Sequence, residues 1–233
     1  VLGIFAHPDD ADIGAGGTIA QLSRLGAEVT IVVVTPGDQG GFDAEAYEDI
    51  SEVRRQEQQA SGAELGAKEV IVLDGYRDGH IEPSEDLVRD LVRMIRKVQP
   101  ELILTMSPEY NWKSVAASHH DHRAVGEAVH RAVYPASRNP YAFPKLLGDE
   151  GLEPWTVLEV WMQGHPEPDT FIALSPEDLD RKVAAMRCHV TQFVDMDMME
   201  GFLRERAART AEDAGLVLEE AAEAFLRFKA THG

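Results

Sequence analysis

Short β-branched runs alternate with longer amphipathic stretches through a chain of 233 residues, with Gly, Pro, Asp and Ser between them. That alternation is the pattern of βαβ units, and it predicts an α/β fold. The expected architecture is a three-layer, Rossmann-like sandwich, a mostly parallel sheet with helices on both faces. The length suits one domain, residues 1–233, whose core needs no disulfide or metal staple.

Strands are predicted at Leu2 to Ala6, Val29 to Thr35, Glu69 to Leu73, Leu102 to Met106, Val157 to Met162 and Phe171 to Leu174. Helices are predicted at Ala15 to Leu25, Ala44 to Leu65, Glu85 to Val98, His122 to Val133 and Pro176 to Gln192, with two more between Met199 and Lys229. Ser84 can cap the helix at Glu85, Ser175 precedes a Pro at the first helical position, and Gly26 and Gly66 stand where helices should stop. The Pro- and Gly-rich stretch from Tyr134 to Pro154 reads as a long excursion of the kind that forms lids or pocket walls.

Composition narrows the partners. Forty-one acidic against 22 basic residues give a formal charge of −19, a field that repels phosphate backbones and anionic membranes, so neither nucleic acid nor membrane is an expected partner. The longest apolar runs, as in VTIVVVT, are too short to cross a bilayer, and the sequence opens on the strand-like VLGIFA without a basic-then-apolar leader. A single cysteine, Cys188, allows no internal disulfide, which fits a cytoplasmic location.

Two clusters carry chemistry. His7-Pro8-Asp9-Asp10 follows the first strand directly, where ligands bind in open parallel sheets. Imidazole and carboxylate are good zinc ligands, and a second carboxylate beside a metal can act as general base. His119-His120-Asp121-His122 follows the fourth strand and opens a helix. Histidines three apart at a helix start project to nearly one side, so one can bind metal while the other faces substrate, and Asp121 can orient an imidazole. Gly14, Gly16 and Gly17 suggest a dinucleotide loop, but the pattern then needs glycine where Ile19 stands, so close packing of the first helix explains them better.

AHPDDADIGAGGTIA and HHDHRAVGEAV closely resemble the two signature motifs of the PIG-L / LmbE-like zinc-dependent N-acetylglucosaminyl deacetylases. The likeness extends to VTPGDQG, Arg54-x-x-Glu57, Asp78-Gly79 and His189-x-Thr191-Gln192. The resemblance implies His7, Asp10 and His122 as metal ligands, Asp9 as general base, and His119 as oxyanion stabiliser oriented by Asp121. Arg54, Asp78 and His189 would bind substrate. It also implies Zn2+, with Fe2+ or cobalt compatible with the same donors, a small N-acylated amino sugar as substrate, and a homo-oligomer, a trimer or hexamer. Strand periodicity would set His7 and Asp9 on one side, so assigning Asp10 to the metal requires the chain to turn at Pro8. Ala11 replaces a frequent Glu, His120 a usual Pro, and Ala117 and Ser118 stand where some relatives have a Tyr. The competing readings are an amidase of larger sugar–thiol conjugates and a metal- or sugar-binding module without catalysis.

Overall fold

Four aliphatic runs pair in parallel through the middle of the molecule: β1 (Leu2–Phe5), β2 (Thr30–Val33), β3 (Glu69–Val72) and β4 (Leu102–Met106). β1 and β2 are buried at every position, which is why they read as continuous apolar runs without alternation. The computed structural model describes residues 1–43, 45–216 and 220–231. Within them β5 (Glu159–Gln163) extends the parallel set, and β6 (Thr170–Ala173) and β7 (Ala222–Lys229) close one edge antiparallel. The seven-stranded order is β3-β2-β1-β4-β5-β7-β6.

Seven helices flank the sheet: α1 (Asp10–Arg24), α2 (Ile50–Leu65), α3 (Glu85–Val98), α4 (His120–Arg131), α5 (Pro144–Gly148), α6 (Pro176–Met186) and α7 (Met196–Asp213) among the described residues. From β1 the chain steps outward to β2 and β3, then returns to β4 on the other side of β1. Right-handed crossovers therefore put α1 and α2 on one face and α3 and α4 on the other. The packing agrees, since α1, α2 and α6 touch one another while α3 touches α4. The reversal leaves a crevice at the carboxyl ends of β1 and β4, where both histidine clusters emerge.

Ser84 and Ser175 cap α3 and α6 as expected, and Gly66 ends α2 at φ 75°. Other boundaries move. α1 begins at Asp10, five residues before the expected Ala15, and α4 begins at His120. α2 starts at Ile50, where the Asp49 carboxylate accepts the Ser51 and Glu52 N–H groups; the expected start, Ala44, lies outside the described residues. α6 stops at Met186, short of Gln192. Of the two late helices, only α7 forms among the described residues. The second segment, AEAFLRFK, has helical composition yet becomes β7, because it fills the gap between β5 and β6 and buries Phe225 in the core. Sheet pairing here overrides local propensity.

The 134–154 excursion is pinned to the body. Arg96, 2% exposed, donates to the carbonyls of Ala136, Ser137, Asn139 and Ala142. With Val88 and Arg131 the excursion walls a cavity of about 540 Å³. Among the described residues no helix is long and apolar enough to cross a membrane.

Candidate active site

After β1 the chain turns at Asp9, one residue later than expected, with φ 96°. That left-handed residue lets α1 start at Asp10, whose carboxylate accepts the His7 N–H at 2.8 Å. Three long side chains brace the turn. Gln58 Oε1 accepts the Asp9 N–H at 3.1 Å, and Gln163 Nε2 donates to the Asp10 carbonyl at 3.0 Å. Arg54 donates to the carbonyls of Pro8 at 2.8 Å and Gly37 at 2.9 Å, so one buried guanidinium joins the loops after β1 and β2. A Cβ at Gly37 or Gly40 would lie 2.0 or 2.2 Å from Arg54 Nη1, so both positions must be glycine for the bracket to fit.

The second cluster arrives from α4. His119 caps the helix, its Nδ1 accepting the Asp121 N–H at 3.2 Å, which leaves the proton of the neutral ring on Nε2. His122 Nε2 lies 3.0 Å from Asp10 Oδ1, and its Nδ1 is buried without a partner among the described residues. His7 stands between the clusters, with ring centroids 5.0 Å from His119 and 5.3 Å from His122. Its Nδ1 is 3.3 Å from Asp10 Oδ2, while Nε2 meets Asp121 at 2.9 Å and Asp78 at 3.1 Å. Asp121 was expected to orient His119, but its side chain reaches His7. Both its oxygens also accept backbone N–H groups, from Gly79 at 2.6 Å and Ile81 at 3.1 Å.

Charge is concentrated around His7. Burial opposes its imidazolium, yet hydrogen bonds to Asp10, Asp121 and Asp78 push its pKa up to about 12. Burial alone would raise Asp10, but His122 and His7 hold it well below the usual carboxylate range. Asp9 is raised to about 6 by burial and by the charge of Asp10, against the pull of Arg54, His189 and His7. His119 is lowered, by burial and then by the positive charges of His7 and His122.

The remaining predicted residues divide. Arg54 and Asp78 join the cluster, with Arg54 3.5 Å from Asp9 and 3.8 Å from Asp78. His189 instead is fully buried, its Nε2 2.9 Å from Asp12, which in turn accepts the Ser61 hydroxyl at 2.6 Å. His120 lies half-exposed beside Glu82. Thr191 donates twice to Glu57, at 2.9 and 2.8 Å, so two minor motifs brace one another behind the crevice. His80, His130 and His165 do find neighbours, in Asp78, Phe228 and Glu109 respectively. His232 lies outside the described residues.

Comparison with known proteins shows the family. The family model for the GlcNAc-PI de-N-acetylases, PIG-L, matches residues 2–133. The chain belongs to the PIG-L family. It is 31% identical over 207 residues to the diacetylchitobiose deacetylase of Thermococcus kodakarensis, spanning 88% of this chain and 74% of that protein. It is 30% identical over 183 residues to a 1D-myo-inositol 2-acetamido-2-deoxy-alpha-D-glucopyranoside deacetylase of Rhodococcus erythropolis, spanning 67% of this chain and 60% of that one. Among solved structures it resembles N,N'-diacetylchitobiose deacetylase from Pyrococcus horikoshii, complexed with its inhibitor MPG. The TM-score is 0.87 at 30% identity, covering 98% of this chain and 83% of that one. The 4-carboxy-2-hydroxymuconate hydratase GalB shares the fold at TM-score 0.77 and 21% identity, covering 100% of this chain and 96% of that one.

In this PIG-L member the donors suit a divalent cation. Two ligands about 2.1 Å from a tetrahedral ion stand about 3.4 Å apart, close to the 3.3 and 3.0 Å spacings that Asp10 makes with His7 and His122. Among the described residues two sets of three donor atoms lie close enough to share an ion, His7 with His119 and His122, and His7 with Asp78 and Asp121. Asp121 spends its oxygens on two N–H groups and on His7 Nε2, the pattern of an outer carboxylate that orients a ligating histidine. His7 Nδ1 is left facing Asp10. Gln58 and Gln163 escaped the sequence reading, since isolated glutamines carry no motif. The one trace is Gly14, where a Cβ would fall 2.1 Å from Gln163 Oε1.

Proposed function

We propose that this chain is a zinc-dependent hydrolase that removes the N-acetyl group from a small sugar containing N-acetylglucosamine. The observation that carries the proposal is Asp10, whose two oxygens face histidines from motifs over a hundred residues apart in the chain. His7, Asp10 and His122 would hold the ion, which when bound supplies a Lewis acid and lowers the pKa of water.

The remaining chemistry belongs to the protein's own side chains. Asp9, a partly buried carboxyl raised to about 6, is the base that takes a proton from the attacking water. Arg54 keeps the Asp9 carboxylate aimed at the crevice and steadies the turn that carries it. The lowered pKa of His119 makes it a neutral ring at pH 7, so it serves the developing oxyanion as an Nε2–H donor, not as a full positive charge. Asp9, protonated in the first step, then returns its proton to the leaving amine as the C–N bond breaks. Asp78 sits where it can accept a sugar hydroxyl.

Acetate release from N-acetylglucosamine and N,N'-diacetylchitobiose, with and without chelator, tests the reading. Asp9→Asn should keep its metal and lose a factor of about 10²–10⁴ in kcat. Near-normal turnover in that variant would refute the role of Asp9, and chelator-resistant acetate release would refute the metal.

A further inference from the structure

The loop from β4 to α4 carries an aromatic stack that the chemistry above does not use. The rings of Tyr110 and Trp112 lie 8° from parallel with centroids 4.8 Å apart. The Arg123 guanidinium sits 3.7 Å over the Tyr110 ring. A guanidinium and an indole cannot occupy the same face of one phenol ring, so Tyr110 is sandwiched and Trp112 is the outer leaf, 83% exposed. An exposed tryptophan ordinarily samples several rotamers, whereas this one is oriented in advance.

The stack is tied to the catalytic crevice. Arg123 directly follows His122, and its Nε donates to the Pro108 carbonyl at 3.3 Å. The Asn111 N–H donates to Ser118 Oγ at 2.7 Å, one residue before His119, and Asn111 Nδ2 donates to the Gly164 carbonyl at 3.1 Å, just past β5. A flat apolar face is thus held at the rim of the site by the segment that delivers the histidines.

We propose that Trp112, backed by Tyr110 and Arg123, is the stacking platform for a second pyranose ring, the one linked to the N-acylated residue. The proposal rests on the deacetylase reading above. A pyranose presents one face of C–H groups, which suits the exposed, flat face of an indole. The formal charge of −19 favours such a neutral ring over an anionic group.

The test compares N,N'-diacetylchitobiose with N-acetylglucosamine in the wild type, Trp112→Ala and Trp112→Phe. The ratio of KM for the disaccharide to KM for the monosaccharide should rise about tenfold in Trp112→Ala at little change in kcat, and Trp112→Phe should restore most of it. Binding is read separately, as the tryptophan fluorescence change when N,N'-diacetylchitobiose is titrated into Asp9→Asn and into Asp9→Asn with Trp112→Ala. A diacetylchitobiose-dependent change lost with Trp112 supports the platform, even if no N-acetyl sugar is hydrolysed and the deacetylase reading falls. An unchanged KM ratio, or no Trp112-dependent signal, overturns the platform while leaving the hydrolase reading intact. A change in sedimentation with sugar binding unaltered also overturns it, since the face would then be a contact between copies.

Discussion

Titrating a divalent cation into metal-free protein should expel a proton, and the crevice around His7 says how many. His7 is buried, which disfavours its charge, but the carboxylates of Asp10, Asp121 and Asp78 outweigh burial and raise its pKa to about 12. At neutral pH the imidazole therefore carries a proton that a ligating nitrogen cannot keep. Asp10, Asp121 and Asp78 are all held below the ordinary carboxylate range, so they are already ionised and contribute none. The expected count is about one proton from His7 for each ion bound, with affinity rising about tenfold per pH unit between pH 7 and 9. The sign follows from a raised folded-state pKa: protonated His7 competes with the ion until the pH passes that value. Calorimetric titration at one pH in two buffers of different ionisation enthalpy gives the proton count, and repeating it at higher pH gives the slope. Zero release with a pH-independent affinity would refute the assignment of His7 as a ligand held by three carboxylates.

Two further outcomes concern the scaffold. Gly126 in α4 lies so close to β4 that an added Cβ would sit 2.6 Å from the Met106 carbonyl oxygen and 2.8 Å from the Pro108 nitrogen, both backbone atoms that cannot swing aside. Gly126→Ala should cost about 1–3 kcal/mol in urea unfolding and weaken metal binding, because the helix it displaces carries His122; unchanged values for both would mean the helix shifts freely. Glu223 on β7 pairs with buried Lys182 and accepts the N–H groups of Gly17 and Thr18 in α1. Glu223→Ala should cost about 3–5 kcal/mol, and a urea midpoint near that of the wild type would show that water reaches Lys182.

The candidate site was legible where it is written in consecutive residues at the carboxyl ends of strands. His7 to Asp10 and His119 to His122 each form one turn, so sequence adjacency nearly fixes their spatial adjacency. Gln58, Gln163 and the Asp121 carboxylate act across gaps of 49, 153 and 114 residues, on Asp9, Asp10 and His7. Nothing local marks such long-range partners. The parallel core was readable from its β-branched runs, but β7 was not. Its Ala, Glu, Leu, Arg and Lys content favours a helix, and only the open place between β5 and β6 makes it a strand. Arg54 bonds to two carbonyls from other loops, a pairing set by tertiary approach and not by its helix neighbours.

Asp121 clasps the segment at residues 79–81 through main-chain N–H groups only, while the same carboxylate steadies His7. Residue 79 holds φ 75°, a conformation that favours glycine, and Ile81 is buried in the core, so the hold on the histidine depends on both positions and leaves the exposed His80 between them open to change. A residue change at 79 or 81 would therefore reach His7 through this one carboxylate, which ties the backbone of one loop to the setting of an imidazole on another.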